Sequence, residues 1–459
     1  MTNWHPDPLQ IRRPAYLSLA EQIASAITEG KLIDGTQLPP HRKLAENLKL
    51  SVQTVSRAYD ELIRRGLITG EIGRGSFVQK PEREHHYLPE RLGEVIDLSI
   101  LKPVCEQIHL EKMRQAFGWL SKNLPSSSAL SVLPNIDFAR HRTVAEEWLV
   151  RCGLAVSPLN ISLTNGATSG MTVAVMSVAP PGSTVAAEAI SHPMLVPLST
   201  YLNLNLEGLA IDEDGMIPDA LDDACKKGRI RAVFIQPSVI NPTATLMSEK
   251  RRRQLANVAA HHDVAIIEND ILGPLVEDRP PPIAAYAPDR TFYITSFTKI
   301  TVPGLRIGYL AAPDRYVAAV ANRLLVLNGT ATVAIAEIAT RWVRDGTAFE
   351  LVNWQREALK GRHAIAAKIL EDLSYRAHPQ SLHLWLQLFG EHTENSFVSQ
   401  IRHRGVVVAP GSSFRISNQG QRPAVRISLG STTESELRAG LEFVASSVRA
   451  APEPLVPAI

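Results

Sequence analysis

Tyr293-Ile-Thr-Ser296-Phe-Thr298-Lys299-Ile-Thr-Val-Pro303-Gly304-Leu-Arg306-Ile-Gly308 is the stretch on which the reading of this chain turns. Phe292 and Ile294 alternate with polar neighbours and predict a strand that carries Ser296, Thr298 and Lys299 to its end. Pro303-Gly304 then turns the chain so that Arg306 comes back toward them. Two hydroxyls and a guanidinium suit a phosphate dianion, and a lysine amine beside them suits condensation with an aldehyde. The run therefore predicts a covalently held pyridoxal phosphate. A surface lysine beside an ordinary turn has the same composition, and the rest of the chain is what separates the two.

Outward from this run, apolar segments at Ala186-Ala187, Ala232 to Ile235 and Ala265 to Ile267 alternate with longer helical stretches. That pattern predicts an α/β domain with a parallel sheet and helices on both faces, whose ligands sit at strand ends. Thr164-Asn-Gly166-Ala167-Thr168-Ser-Gly170 precedes the apolar Met171 to Val178, so small residues lead into a helix N-terminus, a natural phosphate cradle. His192-Pro193 follows a strand containing Glu188 and could stack an imidazole on a ring, although a loop histidine is the plainer reading. Asn241-Pro242 follows Phe234-Ile-Gln-Pro and could offer an amide to a phenolic oxygen, or be only a turn. Arg426, in Val425-Arg426-Ile-Ser-Leu-Gly, could grip a carboxylate with a bidentate fork or lie solvated on an edge strand.

The first eighty residues have a different character. Leu19, Ile23 and Ile27, with Ala20 and Ala24, form a helical stripe ending at Gly30. Leu38-Pro39-Pro40 enters a second helix, His41 to Leu48. Ser51 is a good N-cap for a third, with Val52, Val55, Tyr59 and Leu62 toward the core. Leu67 to Val78 reads as two short strands around a glycine-rich tip. Three helices and a β-wing make a winged helix-turn-helix, whose third helix fits the DNA major groove. Gln53 and Arg57 are placed for base edges, and Arg42, Lys43, Ser51, Thr54 and the wing's Arg74 and Gly75 for phosphates.

A chain of 459 residues, 45% apolar and 20% charged, has the composition of a globular protein with more than one domain. The net charge of +2 is uneven: residues 1 to 80 carry +3 and the remainder −1, which permits nucleic-acid binding by the first part. No apolar run approaches a membrane span, and the start lacks a signal peptide's pattern, so a cytoplasmic protein without membrane association is expected. Three scattered cysteines offer neither a disulfide framework nor a CxxC pair. His85-His86 lacks a second ligand cluster, so no metal is expected.

From Tyr16 to Val78 the chain resembles the GntR-type DNA-binding domain, through Gly35-Thr-Gln-Leu-Pro, Arg42-Lys-Leu-Ala, Ser51-Val-Gln-Thr-Val-Ser-Arg-Ala-Tyr, Leu62-Ile-Arg-Arg-Gly and Gly73-Arg-Gly-Ser-Phe-Val. The later motifs, in their order, resemble the fold-type-I aminotransferases, and the whole resembles the MocR-type regulators. The resemblance implies a winged helix-turn-helix over residues 1–80, a polar linker over 81–95 and an aminotransferase-like, pyridoxal-phosphate-binding domain over 96–459. It implies that Lys299 forms the internal aldimine and that Gly166, Ala167, Thr168, Ser296, Thr298 and Arg306 hold the phosphate. His192 would stack on the ring, Asn241 would approach the 3′-oxygen and Arg426 would bind an effector carboxylate. The partners implied are double-stranded operator DNA, an amino compound or the cofactor itself as effector, and a second copy of the chain.

The sequence departs from that pattern at Ala265-Ile-Ile-Glu268-Asn269-Asp270-Ile271-Leu272-Gly273. Asn269 takes the place of the aspartate that meets the pyridine nitrogen, and Ile271 or Leu272 the place of a tyrosine. An amide cannot supply the negative charge that keeps a pyridinium protonated. Asp270 could substitute only through a local twist, because adjacent strand residues face opposite ways. The expectation is a regulator with at most weak or half-reaction transaminase activity, and the rival is a working aminotransferase carrying a DNA-binding domain.

Overall fold

The protein is described by a computed structural model covering residues 4–33, 35–64, 67–71, 75–78, 95–126, 130, 139–228, 230–328, 331–389, 393–417 and 422–450. Arg74, His85-His86 and nearly all of the expected linker lie outside the described residues. The chain divides into two compact units, Met1–Pro89 and Glu90–Ile459. No described helix is long and apolar enough to cross a membrane, and no cluster of metal-ligating side chains occurs among the described residues.

The first unit has helices Ala15–Thr28, His41–Leu48 and Val52–Arg64 and an antiparallel hairpin of strands Ile68–Glu71 and Gly75–Val78. Leu19, Ile23, Leu44, Val55, Tyr59 and Leu62 meet in one core that the hairpin closes with Ile68 and Val78. Lys49 takes a left-handed conformation (φ +53°) to end the second helix, and the Ser51 hydroxyl accepts the Thr54 N–H at 3.0 Å to start the third. The turn between them is thereby set at both ends. Tyr59 donates its hydroxyl proton to the Pro39 carbonyl (2.8 Å), tying the third helix to the entry of the second. Val52 departs from expectation: it is 46% exposed, because the first residue of the helix precedes the turn that packs.

The centre of the second unit is a seven-stranded sheet in the spatial order Ile161–Thr164, Gly308–Ala311, Thr291–Ser296, Ala265–Asn269, Ile230–Ile235, Thr184–Glu188, Asn205–Leu209. It is mixed rather than parallel, since Gly308–Ala311 runs antiparallel to both of its neighbours. The cause is the short Lys299 loop, which returns the chain alongside Thr291–Ser296 in place of a helical crossover. Gly308 pairs with Ser296 on one side and Thr164 on the other, so the ends that carry the two expected phosphate loops become neighbours. Only glycine fits there, because a Cβ on Gly308 would lie 2.8 Å from the Thr295 carbonyl and 3.0 Å from the Thr164 hydroxyl.

The Lys299 loop is anchored by Phe297, Ile300 and Leu305, all fully buried, and Phe297 packs on Trp148 with ring centroids 4.6 Å apart. Burial of each such side chain stabilises the loop by roughly 1.5–3 kcal/mol. A second, antiparallel sheet of strands Tyr375–Ala377, His383–Gln387, Ala424–Ser428 and Ala409–Pro410 is covered by helices Glu394–His403 and Glu434–Arg449. Arg426 lies on an interior strand of this sheet, not on an edge, and is only 5% exposed. Cys152 and Cys225 are buried free thiols and Cys105 is half-buried.

Candidate cofactor site

The C-terminal ends of the central strands surround a cavity of about 320 Å³. Its walls include Gly166, Ala167, Thr168, His192, Asn241, Asn269, Ser296, Thr298, Lys299, Arg306 and Arg426. Every cofactor and effector residue expected from the sequence of this unit is therefore brought to one place, from positions up to 260 residues apart in sequence.

The end expected to take the phosphate combines a helix start with side-chain donors. Gly166 caps the helix Ala167–Val178 with φ +80°, which brings the start of that helix, the end that favours an anion, to the cavity wall. A Cβ at Gly166 would stand 3.7 Å from the Thr298 hydroxyl and 4.0 Å from the Arg306 guanidinium carbon, so three donor types converge on one point. Ser296 donates its hydroxyl to the Ile307 carbonyl (2.8 Å) and accepts the Thr298 N–H (3.3 Å), holding the turn shut. Arg306 reaches the site from a left-handed backbone (φ +43°) just after Pro303–Leu305.

Lys299 donates from Nζ to the Leu101 carbonyl. Burial, together with the charges of Arg426 and Arg306, pushes its amine down to about 8. Near neutral pH an appreciable share is then the unprotonated nucleophile. His192 is pushed down to about 4 by burial and by the charges of Lys299 and Arg426, so its imidazole is neutral, and Nδ1 accepts the Met194 N–H at 3.2 Å.

Asn269 and Asp270 face opposite ways. Asn269 lines the cavity, and its Oδ1 is buried with no donor. Asp270 is fully buried away from it, accepting from Arg279 at 2.6 Å and from the Tyr293 hydroxyl at 2.7 Å. Asp270 is thus committed to Arg279 and does not substitute for Asn269 at the cavity wall. Ile271 joins the lining, while Leu272 is buried in the adjoining core.

Arg426 donates from Nη1 to Asn241 Oδ1 (2.9 Å) and from Nη2 to the Ser99 carbonyl. Its Nε is buried without an acceptor, and burial pushes the guanidinium down to about 10. Asn241 is fixed in turn through Gln236, whose Nε2 donates to the Asn241 carbonyl (3.1 Å) and whose N–H donates to buried Glu188 (2.8 Å). The residues present fit pyridoxal phosphate: an anion cradle at one end, an amine of lowered pKa beside it, and unsatisfied buried polar atoms on Asn269 and Arg426. Sequence reading missed Ile100, Leu101 and Met194, which also line the cavity. They belong to no motif, and Leu101 acts through its backbone carbonyl, which no side-chain pattern can reveal.

In the first unit Arg42, Lys43, Gln53, Arg57 and Gly75 are exposed, and Ser51 and Thr54 are joined through their hydroxyls at 2.7 Å. Arg57 lies over the Tyr16 ring with its guanidinium carbon 4.3 Å from the centroid, so a stacking contact holds it on the outer face of the third helix.

Residues 133–444 match the family of aminotransferases class I and II, and residues 15–78 match the bacterial regulatory proteins of the gntR family. The chain belongs to the class I and II aminotransferase family and carries a GntR-type helix-turn-helix domain ahead of it, the architecture of MocR-type regulators. It is 26% identical to the uncharacterized HTH-type transcriptional regulator YdeF of Bacillus subtilis over 96% of this chain and 95% of that one. It is 24% identical to the pyridoxine biosynthesis regulator PdxR of Corynebacterium glutamicum over 94% and 95% of the two chains, respectively. Among solved structures, a kynurenine aminotransferase of Pyrococcus horikoshii superimposes with a TM-score of 0.71 at 20% identity, covering 78% of this chain and 91% of that one.

Proposed function

We propose that the protein is a pyridoxal-phosphate-dependent transcriptional regulator that binds operator DNA through its first unit and senses the cofactor or an amino compound in the cavity of its second. The observation that carries this reading is one cavity holding Lys299, the Gly166 cradle, Arg306 and Arg426, in a chain that also bears a GntR-type domain. PdxR and the HTH-type regulator TauR of Rhodobacter capsulatus, similar over nearly the whole length, support it. We propose further that the protein is cytoplasmic and works as a homodimer.

When bound, the cofactor supplies an aldehyde that reacts with amines and a conjugated ring that accepts electron density. In this reading Gly166, Ala167, Thr168, Ser296, Thr298 and Arg306 would hold the phosphate, and Lys299 would be the amine nearest the aldehyde. His192 would cover the ring as a neutral imidazole, and Asn241 is aligned by Arg426. Asn269 would meet the ring nitrogen as an amide, without a carboxylate's charge. That favours binding and sensing over repeated turnover.

The test is to select DNA fragments from a random pool with the full chain, then rebind them with and without pyridoxal phosphate and a panel of amino acids. Affinity should change with the cofactor or with one class of amine. Insensitivity to both, or failure to select any DNA, would overturn the reading.

Two substitutions probe the cavity. Asn269→Asp should raise the single-turnover rate with an amine, because a charge-assisted bond to the ring nitrogen replaces a neutral one. A gain of about 1.4 kcal/mol corresponds to about tenfold. Asp270 should not oppose this, since Arg279 already matches its charge. An unchanged or lower rate in stopped-flow absorbance would show that another group protonates the ring. Arg426→Lys keeps a charge but loses the fork, and the bond to Asn241 with it, so the response to a carboxylate-bearing effector should fall by more than about tenfold, about 1.4 kcal/mol. Cofactor loading should be nearly intact. A parental response in a DNA-binding titration would mean that the effector lacks a carboxylate.

A further inference from the structure

A second cavity, of about 200 Å³, is bounded by Trp148, Arg151, Cys152, Arg279, Phe349 and Arg356, and it shares no lining residue with the first. Trp148 is 1% exposed, and its indole N–H is buried without an acceptor. Native interiors rarely leave such a donor unmatched, and an acceptor from outside the chain would satisfy it. Two of the three guanidiniums are neutralised, Arg279 by Asp270 at 2.6 Å and Arg356 by Glu277 at 3.1 Å. Arg151 has no carboxylate partner among the described residues and stacks over Phe349 with its guanidinium carbon 4.1 Å from the centroid. The cavity therefore has one positive charge in excess beside apolar walls of Phe349, Val352 and Pro281.

We propose that this cavity is a regulatory site for a small organic monoanion with a flat apolar body, of the aromatic carboxylate type. Its carboxylate meets Arg151 and the Trp148 N–H, and its ring lies against Phe349 and the prolines. The position gives an occupant two connections to the first cavity. Trp148 packs on Phe297, two residues before Lys299, and Arg279 holds Asp270, the neighbour of Asn269. Coupling to the cofactor rests on the function proposed above, whereas binding itself does not.

Isothermal titration of the full chain with sodium benzoate, and with benzamide as its neutral counterpart, tests the site. Benzoate should saturate at one per chain, benzamide should bind at least about tenfold more weakly, and Arg151→Ala should weaken benzoate alone by at least about tenfold. Trp148→Phe, which keeps a ring against Phe297 but removes the N–H, should weaken benzoate in the same sense. Absence of saturable benzoate binding, or equal affinity in Arg151→Ala, would overturn the proposal. Benzoate binding that survives Arg151→Ala but is lost in Arg426→Lys would do so as well, by locating the probe in the first cavity. If benzoate binds as expected but leaves the cofactor's absorbance unchanged, the site stands and the coupling fails.

Discussion

Lys299→Ala is expected to abolish covalent attachment of the cofactor altogether. In the parent protein, borohydride should fix pyridoxal phosphate to the peptide containing Lys299, because reduction turns a carbon–nitrogen double bond into a stable amine. The variant should retain at most phosphate-held cofactor that gel filtration removes. The parent should also show a distinctive pH dependence of uptake. The amine must be unprotonated to attack, and its pKa is pushed from 10.5 down to about 8, so the rate of cofactor uptake by the apoprotein should climb through pH 8 and level off above it. An ordinary exposed lysine would still be climbing two units higher. Cofactor recovered on another lysine, or a rate still rising steeply at pH 9.5, would remove Lys299 from its role.

The second large effect concerns DNA. Arg57→Ala should cost about 1–3 kcal/mol at the preferred sequence and relax the preference at one base position, if the arginine reads a base edge. Lys43→Ala should weaken all sequences alike and flatten the salt dependence by about one unit of slope. The Tyr16 ring beneath Arg57 adds a control, since Tyr16→Ala removes the platform but not the charge. It should reproduce part of the specificity loss with the salt slope unchanged. Binding curves over a range of salt, on preferred and scrambled fragments, separate these outcomes. Equal losses on both fragments for Arg57→Ala would reassign it to the phosphate backbone.

Much of the architecture was legible in local pattern. The first-unit helices follow from the spacing of Leu19, Ile23 and Ile27 and of Val55, Tyr59 and Leu62, because a 3.6-residue repeat gives each helix one apolar face. The strand leading to Lys299, and the glycine loop opening a helix at Ala167, were equally readable, since turn residues and capping act within a few positions. Asn269 at the expected place of a carboxylate is what the family resemblance implies, and with it the expectation of a weak electron sink.

What only the tertiary structure decided are relations between distant segments. The antiparallel course of Gly308–Ala311 depends on which strands it pairs with, and that pairing sets the Gly166 and Lys299 loops side by side. The alternation of side chains said that Asn269 and Asp270 part company, but only packing against Arg279 and Tyr293 says which of them turns from the cavity. Arg426 became a buried residue because its strand gained neighbours on both sides, which no property of Val425-Arg426-Ile could announce. The Lys299 contact with the Leu101 carbonyl joins groups 198 residues apart through a backbone atom that every residue possesses. Local sequence determines what each segment can do, and long-range pairing alone determines which segments meet, because contact energy depends on distance in space and not along the chain.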